Sequence, residues 1–581
     1  MLNKLWPHLS KQRKKQFWWL LILMITTSFF EVVSIGAVLP FLAALTSPDV
    51  LYQEPLMQPI IQILEISNPD QLIIPLTILF ITASLLAGAI RLLLLYVITK
   101  LSFAVGADLS IESYRRTLYQ EYSIHVSRNS SEVINSIITK TSAVASGVFL
   151  PTLQLISSGI LLIGVLGALF LINAKVSISA SIGFGVAYCM IIYFTKSRLK
   201  KNSIVIAKNS TLMVKSLQEG LGGIRDVLIN SAQNYYSELY RNADLPLRRA
   251  SAANTFIGGS PRYAMEAIGV TIIALFACLL TLQDEGIAGA IPILGALALG
   301  AQRLLPALQQ SYSAYSSIKG SAASFNDVLV LLNQPVPDYI EKMPSERIRF
   351  DKEITISNLS FRHANDSPYV LKNIDFSIPK GSHIGFVGVT GSGKSTLLDI
   401  IMGLLVPSEG SLIVDGQLIT NNNRRAWQMH IAHVPQNIYL TDGTIEENIA
   451  FGIPKNEIDH KKVRKAAEQA HISKIIDSWK DGYQTIVGEQ GIRLSGGQKQ
   501  RIGIARALYK KVSILIFDEA TSALDNETEQ AIMNEIGELS SELTVLIIAH
   551  RLTTLEQCDQ IIRLDQNKII EIGSYRELIN G

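Results

Sequence analysis

"GFVGVTGSGKSTLL", residues 385–398, decides the fold of the C-terminal part of this chain. A short apolar run of strand type enters Gly388-x-x-x-x-Gly393-Lys394-Ser395, and a helical pattern leaves it. Glycines let the backbone close around an anion so that successive N–H groups point inward. The spacing predicts a phosphate cradle built from Gly388, Val389, Thr390, Gly391, Ser392, Gly393, Lys394, Ser395 and Thr396. Lys394 is expected to neutralise the outer phosphates of ATP, and the Ser395 hydroxyl to ligate Mg²⁺. The flanking strand and helix argue against a chance glycine-rich turn.

Downstream, "SILIFDEATSALD" (513–525) runs from an apolar strand into two adjacent carboxylates. Asp518 is expected to meet the Mg²⁺, and Glu519 to orient or activate water for hydrolysis. Upstream, "NQPVPDYIEKMPSE" (333–346) is rich in proline and charge, which predicts a linker. The chain then divides into 1–332, the linker 333–346, and an α/β domain over 347–581.

The first part has the composition of a membrane domain. In the whole chain 48% of 581 residues are hydrophobic, 17% are charged and mean hydropathy is +0.27, where soluble domains carry about 25% charge. Apolar runs fall near 17–45, 72–98, 146–172, 176–195, 257–281 and 287–312, each meeting the roughly 20 residues needed to cross a bilayer. An even number of spans puts both termini on one side. "KQRKK" (11–15), "KSRLKK" (196–201) and "RNADLPLRR" (241–249) make that side the cytoplasm. The basic patch and apolar run at the N-terminus read as a retained first span, with no small-residue cleavage site after it.

The connections 99–145 and 196–256 are long, polar and helical in period, so they read as helices continuing below the membrane. Polar and glycine residues break that pattern at 119–132 and 219–236. Segment 50–66 reads as a short amphipathic helix at the outer interface, with Leu56, Ile60, Ile61, Ile63 and Leu64 as its apolar clusters. A net charge of +3 does not point to nucleic acid. Cys189, Cys278 and Cys558 have no paired spacing, so neither a disulfide framework nor a metal cluster is expected.

"LSGGQKQR" (494–501) completes the set of motifs. With it the chain resembles the ATP-binding cassette (ABC) proteins, whose signature is matched by Leu494-Ser495-Gly496-Gly497-Gln498. Six spans followed by one nucleotide-binding domain resemble the half-transporter layout of ABC exporters. The resemblance implies a helical membrane domain of six spans with long cytoplasmic extensions, followed by an α/β P-loop ATP-binding cassette. It also implies ATP hydrolysis with Mg²⁺. Gln436, in "VPQNIYL", matches the Q-loop that senses Mg²⁺; "TIVGEQG" (485–491) matches the X-loop and "SALD" (522–525) the D-loop. His550, in "IIAHRL", matches the switch histidine that holds the γ-phosphate. The family usually stacks a tyrosine on adenine where this chain reads "LSFRH", which gives His363, with Tyr369 close by. In the family each ATP is sandwiched between the phosphate loop of one domain and the signature of another. Ser495, Gly496, Gly497 and Gln498 would therefore contact ATP on a partner protomer. Both loops match consensus here, which favours a homodimer over a heterodimer, where one member more often has a degenerate Glu519 or signature.

Three arginines border or interrupt apolar spans: Arg91, Arg262 and Arg303. They lie 19, 19 and 16 residues from the expected outer boundaries, about 24–29 Å at roughly 1.5 Å per residue. A charge in lipid is costly, so a shared depth on three helices favours a polar cavity over snorkelling. Guanidinium forks fit phosphate or pyrophosphate oxygens. Glu31, in "SFFEVVSIGAVLPF", is a fourth intramembrane charge, with pairing to an arginine or a part in substrate passage as its alternatives. Among ABC exporters, this first span, the outer segment 50–66 and the arginines resemble bacterial lipid-linked oligosaccharide flippases. That resemblance implies a chain of the bacterial inner membrane moving a polyprenyl-pyrophosphate-linked glycan outward, with the arginines on the headgroup. A general lipid or hydrophobic-drug exporter would share the same ATPase.

Overall fold

The computed structural model describes residues 1–46, 48–55, 57–63, 66–172, 174–281, 304–336, 347–364, 366–519, 525–539, 542–548 and 555–579. The chain forms two compact units. One comprises Met1–Gln120 and Arg128–Pro335; the other comprises Val336–Gly581 together with the short segment Glu121–Ser127.

The first unit is helical throughout its described residues. Among these, Lys11–Ser34, Pro69–Leu118 and Ser130–Phe170 are long and apolar enough to cross a membrane. The fourth and fifth expected spans fall on the helices Ala174–Gly222 and Pro261–Thr281. Most of the sixth, 287–312, lies outside the described residues, which resume in a helix over 304–320. The expected extensions are present as unbroken helices: Ile73–Leu118 has 46 residues and Ala174–Gly222 has 49, about twice the length lipid requires. Breaks fall where polar and glycine residues cluster. The first helix stops at Leu118 and is followed by Tyr122–Ser127; a new helix starts at Ser130, where the Asn129 side chain accepts from the Ser131 N–H at 2.9 Å. Gly223 separates the second long helix from Ile224–Ile229.

Helix packing in this unit depends on small side chains. A Cβ on Gly106 would lie 2.6 Å from that of Ala145, and one on Gly164 would lie 2.7 Å from the Ser28 hydroxyl, so the backbones meet too closely for anything larger. Between them Leu20, Met24, Leu94, Ile98 and Leu153 form a buried core, while Trp18, Trp19, Ile22 and Leu92 stay exposed, as residues facing lipid must. The run Ser130–Ile172 contains two π-helical turns, Ser136–Lys140 and Ala145–Phe149. Lys140 in the first is buried and meets Asp327 at 2.6 Å.

The segment expected to form a single amphipathic helix over 50–66 does not. It forms two short helices, Pro48–Gln53 and Gln58–Ile63, separated around Pro55, which cannot donate to a continuing helix. Leu51, Ile61 and Ile66 are buried against Leu72 and Leu76. Leu56 and Leu64, with the side chains of Ile60 and Ile63, lie outside the described residues.

The second unit is an α/β domain. Its strands are β1 (Glu353–Phe361), β2 (Leu371–Pro379), β3 (His383–Val387), β4 (Glu409–Val414), β5 (Gln417–Leu418), β6 (Ile431–Val434), β7 (Ile514–Asp518), β8 (Thr544–Ile548), β9 (Gln560–Asp565) and β10 (Lys568–Gly573). One sheet has the order β2-β1-β4-β5 and is antiparallel; the other has the order β10-β9-β3-β8-β7-β6. In the second sheet β9, β3, β8, β7 and β6 run parallel. Buried on both faces, β7 and β8 read as continuous apolar runs, "ILIF" and "TVLII". Their carboxyl ends, with that of β3, form one edge of the sheet, and a ligand site is expected there.

Candidate functional site

At that edge Gly388, Gly391 and Gly393 all have left-handed φ, +153°, +86° and +98°. The first two bracket the cradle; a Cβ on Gly393 would lie 2.7 Å from Leu371 Cδ2 and 2.9 Å from the Val370 carbonyl, so only glycine fits. The helix Lys394–Ile401 starts directly behind the loop, adding its N-terminal N–H groups. The Ser392 hydroxyl is buried and has no hydrogen-bond partner among the described residues. Lys394 folds back, its ammonium donating to the carbonyls of Gly388 at 2.8 Å and Val389 at 3.0 Å. A cradle of positive-φ glycines, a buried hydroxyl and a lysine fits the phosphates of ATP.

Asp518 ends β7, and its Oδ1 stands 3.5 Å from the Ser395 hydroxyl. Burial raises the Asp518 carboxyl, the Glu519 charge raises it further, and Ser395 and Lys394 oppose both. Burial lowers the Lys394 ammonium, against the pull of Glu519 and Asp518. A hydroxyl and a carboxylate so placed suit a hard divalent cation such as Mg²⁺. Glu519 follows with φ of +52°, a strained conformation for a non-glycine residue. Its N–H donates to the Ile548 carbonyl at 3.2 Å. Its carboxylate accepts from the Gln436 carboxamide at 2.5 Å. The structure therefore brings together the loop 388–396, Asp518, Glu519 and Gln436. His550 and 522–524 of the D-loop lie outside the described residues.

His363 is exposed, with its ring edge-on to Phe361 at 5.1 Å between centroids. Tyr369 is otherwise engaged: its hydroxyl donates to Glu409 at 2.6 Å, and Arg362 stacks over its ring at 5.2 Å. Of the two, His363 is the ring left available for stacking.

The signature lies at the start of the helix Gly496–Tyr509. Ser495 is its N-cap, and a reciprocal pair closes the turn: the Ser495 hydroxyl accepts from the Gln498 N–H at 3.3 Å, and the Gln498 side chain accepts from the Ser495 N–H at 2.9 Å. Gln498 thus holds the turn, and Gly496 and Gly497 present the bare N-terminal N–H groups. Sequence reading assigned all four to ATP contact on a partner protomer; the capping box, legible as S-x-x-Q, adds a structural role for Ser495 and Gln498.

In the helical unit Arg91 Nη1 lies 3.5 Å from Glu31 Oε1; the arginine side chain is 54% exposed and the glutamate 3%. The pair sits on a cavity of about 710 Å³ whose wall includes Ser84, Gln154, Ser157 and Gln310. These four were not singled out from sequence, although each is a polar residue within or beside an apolar span. Arg262 is elsewhere on the surface, paired at 2.7 Å with Glu266 one turn along its own helix, and does not line this cavity. Arg303 lies outside the described residues. Cys189 is exposed and Cys558 buried, neither in a disulfide among the described residues, with the Cys558 thiol pushed up to about 12 by burial.

Residues 371–522 match the family model described as ABC transporter, and residues 20–291 match that of the ABC transporter transmembrane region. The chain is 28% identical over 504 residues to an ATP-dependent lipid A-core flippase of Idiomarina loihiensis, covering 85% of this chain and 84% of the relative. A protein of the same name from Aliivibrio fischeri is 29% identical over 459 residues, covering 78% and 77%. In fold the chain is similar to a bacterial Atm1-family ABC exporter solved with ATP bound, with a TM-score of 0.77 at 24% identity over 94% of this chain and 95% of that one.

Proposed function

Because this chain is an ABC exporter half-transporter, a multi-pass membrane protein that hydrolyses ATP, we propose that it flips a polyprenyl-pyrophosphate-linked oligosaccharide from the inner to the outer side of the bacterial inner membrane. The observation that carries this reading is the cavity at Arg91. Its wall is mixed, with leucines beside Thr27, Ser84, Gln154, Ser157 and Gln310, and it holds a guanidinium and a buried carboxylate. A phosphorylated headgroup would exchange for Glu31 as the partner of Arg91, with hydroxyls and carboxamides around it suited to sugar. Arg303 would join from another helix, and two protomers would close the cavity.

Half-transporters of this family dimerise, and we propose a homodimer with both termini cytoplasmic and domain bounds at 1–332 and 347–581. In it each ATP would lie on Gly388–Thr396 of one chain, with His363 against adenine, and under Ser495–Gln498 of the other. Ser395, Asp518 and Gln436 would hold Mg²⁺, which would supply charge neutralisation to the departing phosphate oxygens. Glu519 would orient the attacking water, and His550 would hold the γ-phosphate.

The relatives named lipid A-core flippase favour a second reading, in which the cargo is a lipid A-core. Reconstitution in proteoliposomes with each labelled substrate decides. ATP-dependent movement of the polyprenyl-linked glycan, lost in an Arg91→Ala variant, is the expected result. Movement of the lipid A-core glycolipid alone would replace the first reading with the second. Stimulation of ATPase only by uncharged hydrophobic compounds would overturn both in favour of a general exporter.

A further inference from the structure

The second unit has another cavity, of about 390 Å³, at the edge of the parallel sheet opposite the phosphate loop. Its wall includes Ser513 just before β7, Leu543 just before β8 and Lys380 shortly before β3. The ATP residues follow the other ends of β3 and β7. Five cationic side chains line it: Arg347, Lys380, Lys462, Lys465 and Lys511. They come from separate stretches of chain, so no single helix periodicity accounts for the cluster.

The local acids do not balance them. Glu542, the one carboxylate in the wall, is 3.3 Å from Lys380, and Asp459 is 3.3 Å from Lys462. Arg347, Lys465 and Lys511 pair with no carboxylate among the described residues. Two neighbours register the excess: the Lys510 ammonium is lowered by burial and then by Arg347, and the buried His430 imidazole is lowered by burial and by Arg347 and Lys380. A concave site with unmatched like charges and an aliphatic floor that includes Leu508 and Val512 is completed by an anion.

We propose that this cavity binds a soluble, phosphate-rich small molecule, of nucleotide or polyphosphate class, at a site separate from the ATP cradle. Several phosphate oxygens would take the three unpaired cations, and the aliphatic floor would accept a flat organic part. The volume is in the range of small-ligand sites, about 300–1,000 Å³.

The test uses the full-length protein in detergent with the ATP cradle saturated by a non-hydrolysable ATP analogue. Titration with inorganic tripolyphosphate, followed calorimetrically, should reveal a further binding class. It should weaken at least tenfold in an Arg347→Gln/Lys465→Gln/Lys511→Gln variant and be largely kept in Arg347→Lys. Affinity for the ATP analogue itself should stay unchanged, which also certifies that the variant is folded. The absence of a further class, or its equal strength in the triple variant, overturns the proposal. A parallel series in nanodiscs separates the source. If the parent protein, and not the triple variant, responds to phosphatidylglycerol in place of phosphatidylcholine while neither binds tripolyphosphate, the site is a lipid-headgroup site and the soluble ligand is wrong.

Discussion

The carboxamide of Gln436 donates a 2.5 Å hydrogen bond to the carboxylate of Glu519, joining residues 83 positions apart. One is expected to sense the metal, the other to act on water. The bond couples them: a shift in the loop bearing Gln436 would move or release the carboxylate proposed to orient water.

Replacing Glu519 by Gln should therefore lower steady-state ATP hydrolysis by about 10²–10⁴-fold, the usual contribution of a positioned acid or base. ATP binding should change little, since Lys394 and the glycine loop hold the phosphates. Gln436→Ala should lower turnover less, because the carboxylate survives. Turnover and nucleotide affinity measured side by side check this; near-normal turnover of Glu519→Gln would remove the residue from its role.

Arg91 and Glu31 should behave as a couple. Arg91→Ala removes the 3.5 Å ion pair to the buried Glu31, at a cost of about 1–3 kcal/mol. Adding Glu31→Gln should restore thermal stability in detergent but not transport. If the double variant also transports normally, the pair is only an anchor. Arg91→Lys should fold like the parent and transport partly, since charge returns without the planar fork.

Ser495→Ala should cost about 1 kcal/mol through the lost N-cap and abolish ATP-driven closure of the dimer. Ser495→Thr keeps an oxygen at the cap and should retain most of the stability. Chemical denaturation and ATP-dependent cross-linking separate the two effects; identical behaviour of Ala and Thr variants would contradict the capping role.

Stability should also depend on pH through Asp399. Burial first, and then the charge of Asp518, push its carboxyl up to about 6. A carboxyl raised in the folded state adds stability that is complete below its unfolded value near 4 and is lost as pH rises through about 6. Asp399→Asn should raise the melting temperature at pH 7.5, by the equivalent of roughly 1 kcal/mol after solvent screening. The advantage should disappear by about pH 4. A difference that stays constant between pH 5 and 8 would rule this out. Burial and the Asp399 charge also raise the phenol of Tyr122 in the segment Glu121–Ser127, so removing the charge should make Tyr122 easier to ionise.

Ile61 is 7% exposed and packs with Leu72 and Leu76. Ile61→Ala should destabilise the helical unit by about 2–4 kcal/mol, whereas an exposed neighbour such as Gln62→Ala should not. Deleting 54–64 should impair transport of the lipid-linked glycan more than basal ATPase. Equal loss of both would make the segment a structural plug.

Local chemistry explains how much of this was legible beforehand. The phosphate loop and the strand into Asp518-Glu519 each fall within a dozen residues, so spacing located them, and the signature was found by its resemblance to the family. The long helices announced themselves by period and ended where Gly223 and the polar stretch at 119–132 said they would. What pairs across the chain left no such trace. Nothing near Gln436 points to Glu519, and nothing near Arg91 distinguishes Glu31 from a second substrate contact. The outer segment was misread because its apolar residues fit a helical face, while Pro55 divides it and tertiary packing buries Leu51 and Ile61. The arginines were grouped by depth, a measure blind to azimuth: Arg91 lines a cavity, and Arg262 bonds along its own helix.

The two unbroken helices have a mechanical meaning. At 46 and 49 residues they are about 70 Å long, and Ile73–Leu118 and Ala174–Gly222 are each one uninterrupted helix. Rods of this kind would pivot as wholes. A tilt of about 5° at mid-length sweeps each tip through roughly 3 Å in opposite senses, enough to part side chains at one end while pressing them together at the other. The neighbouring run from Ser130 to Ile172 is built differently, since each of its π turns carries slack in the hydrogen-bond ladder that a small shift in register can absorb. Stiff arms beside a compliant one make a gear with a fixed ratio and a place to yield.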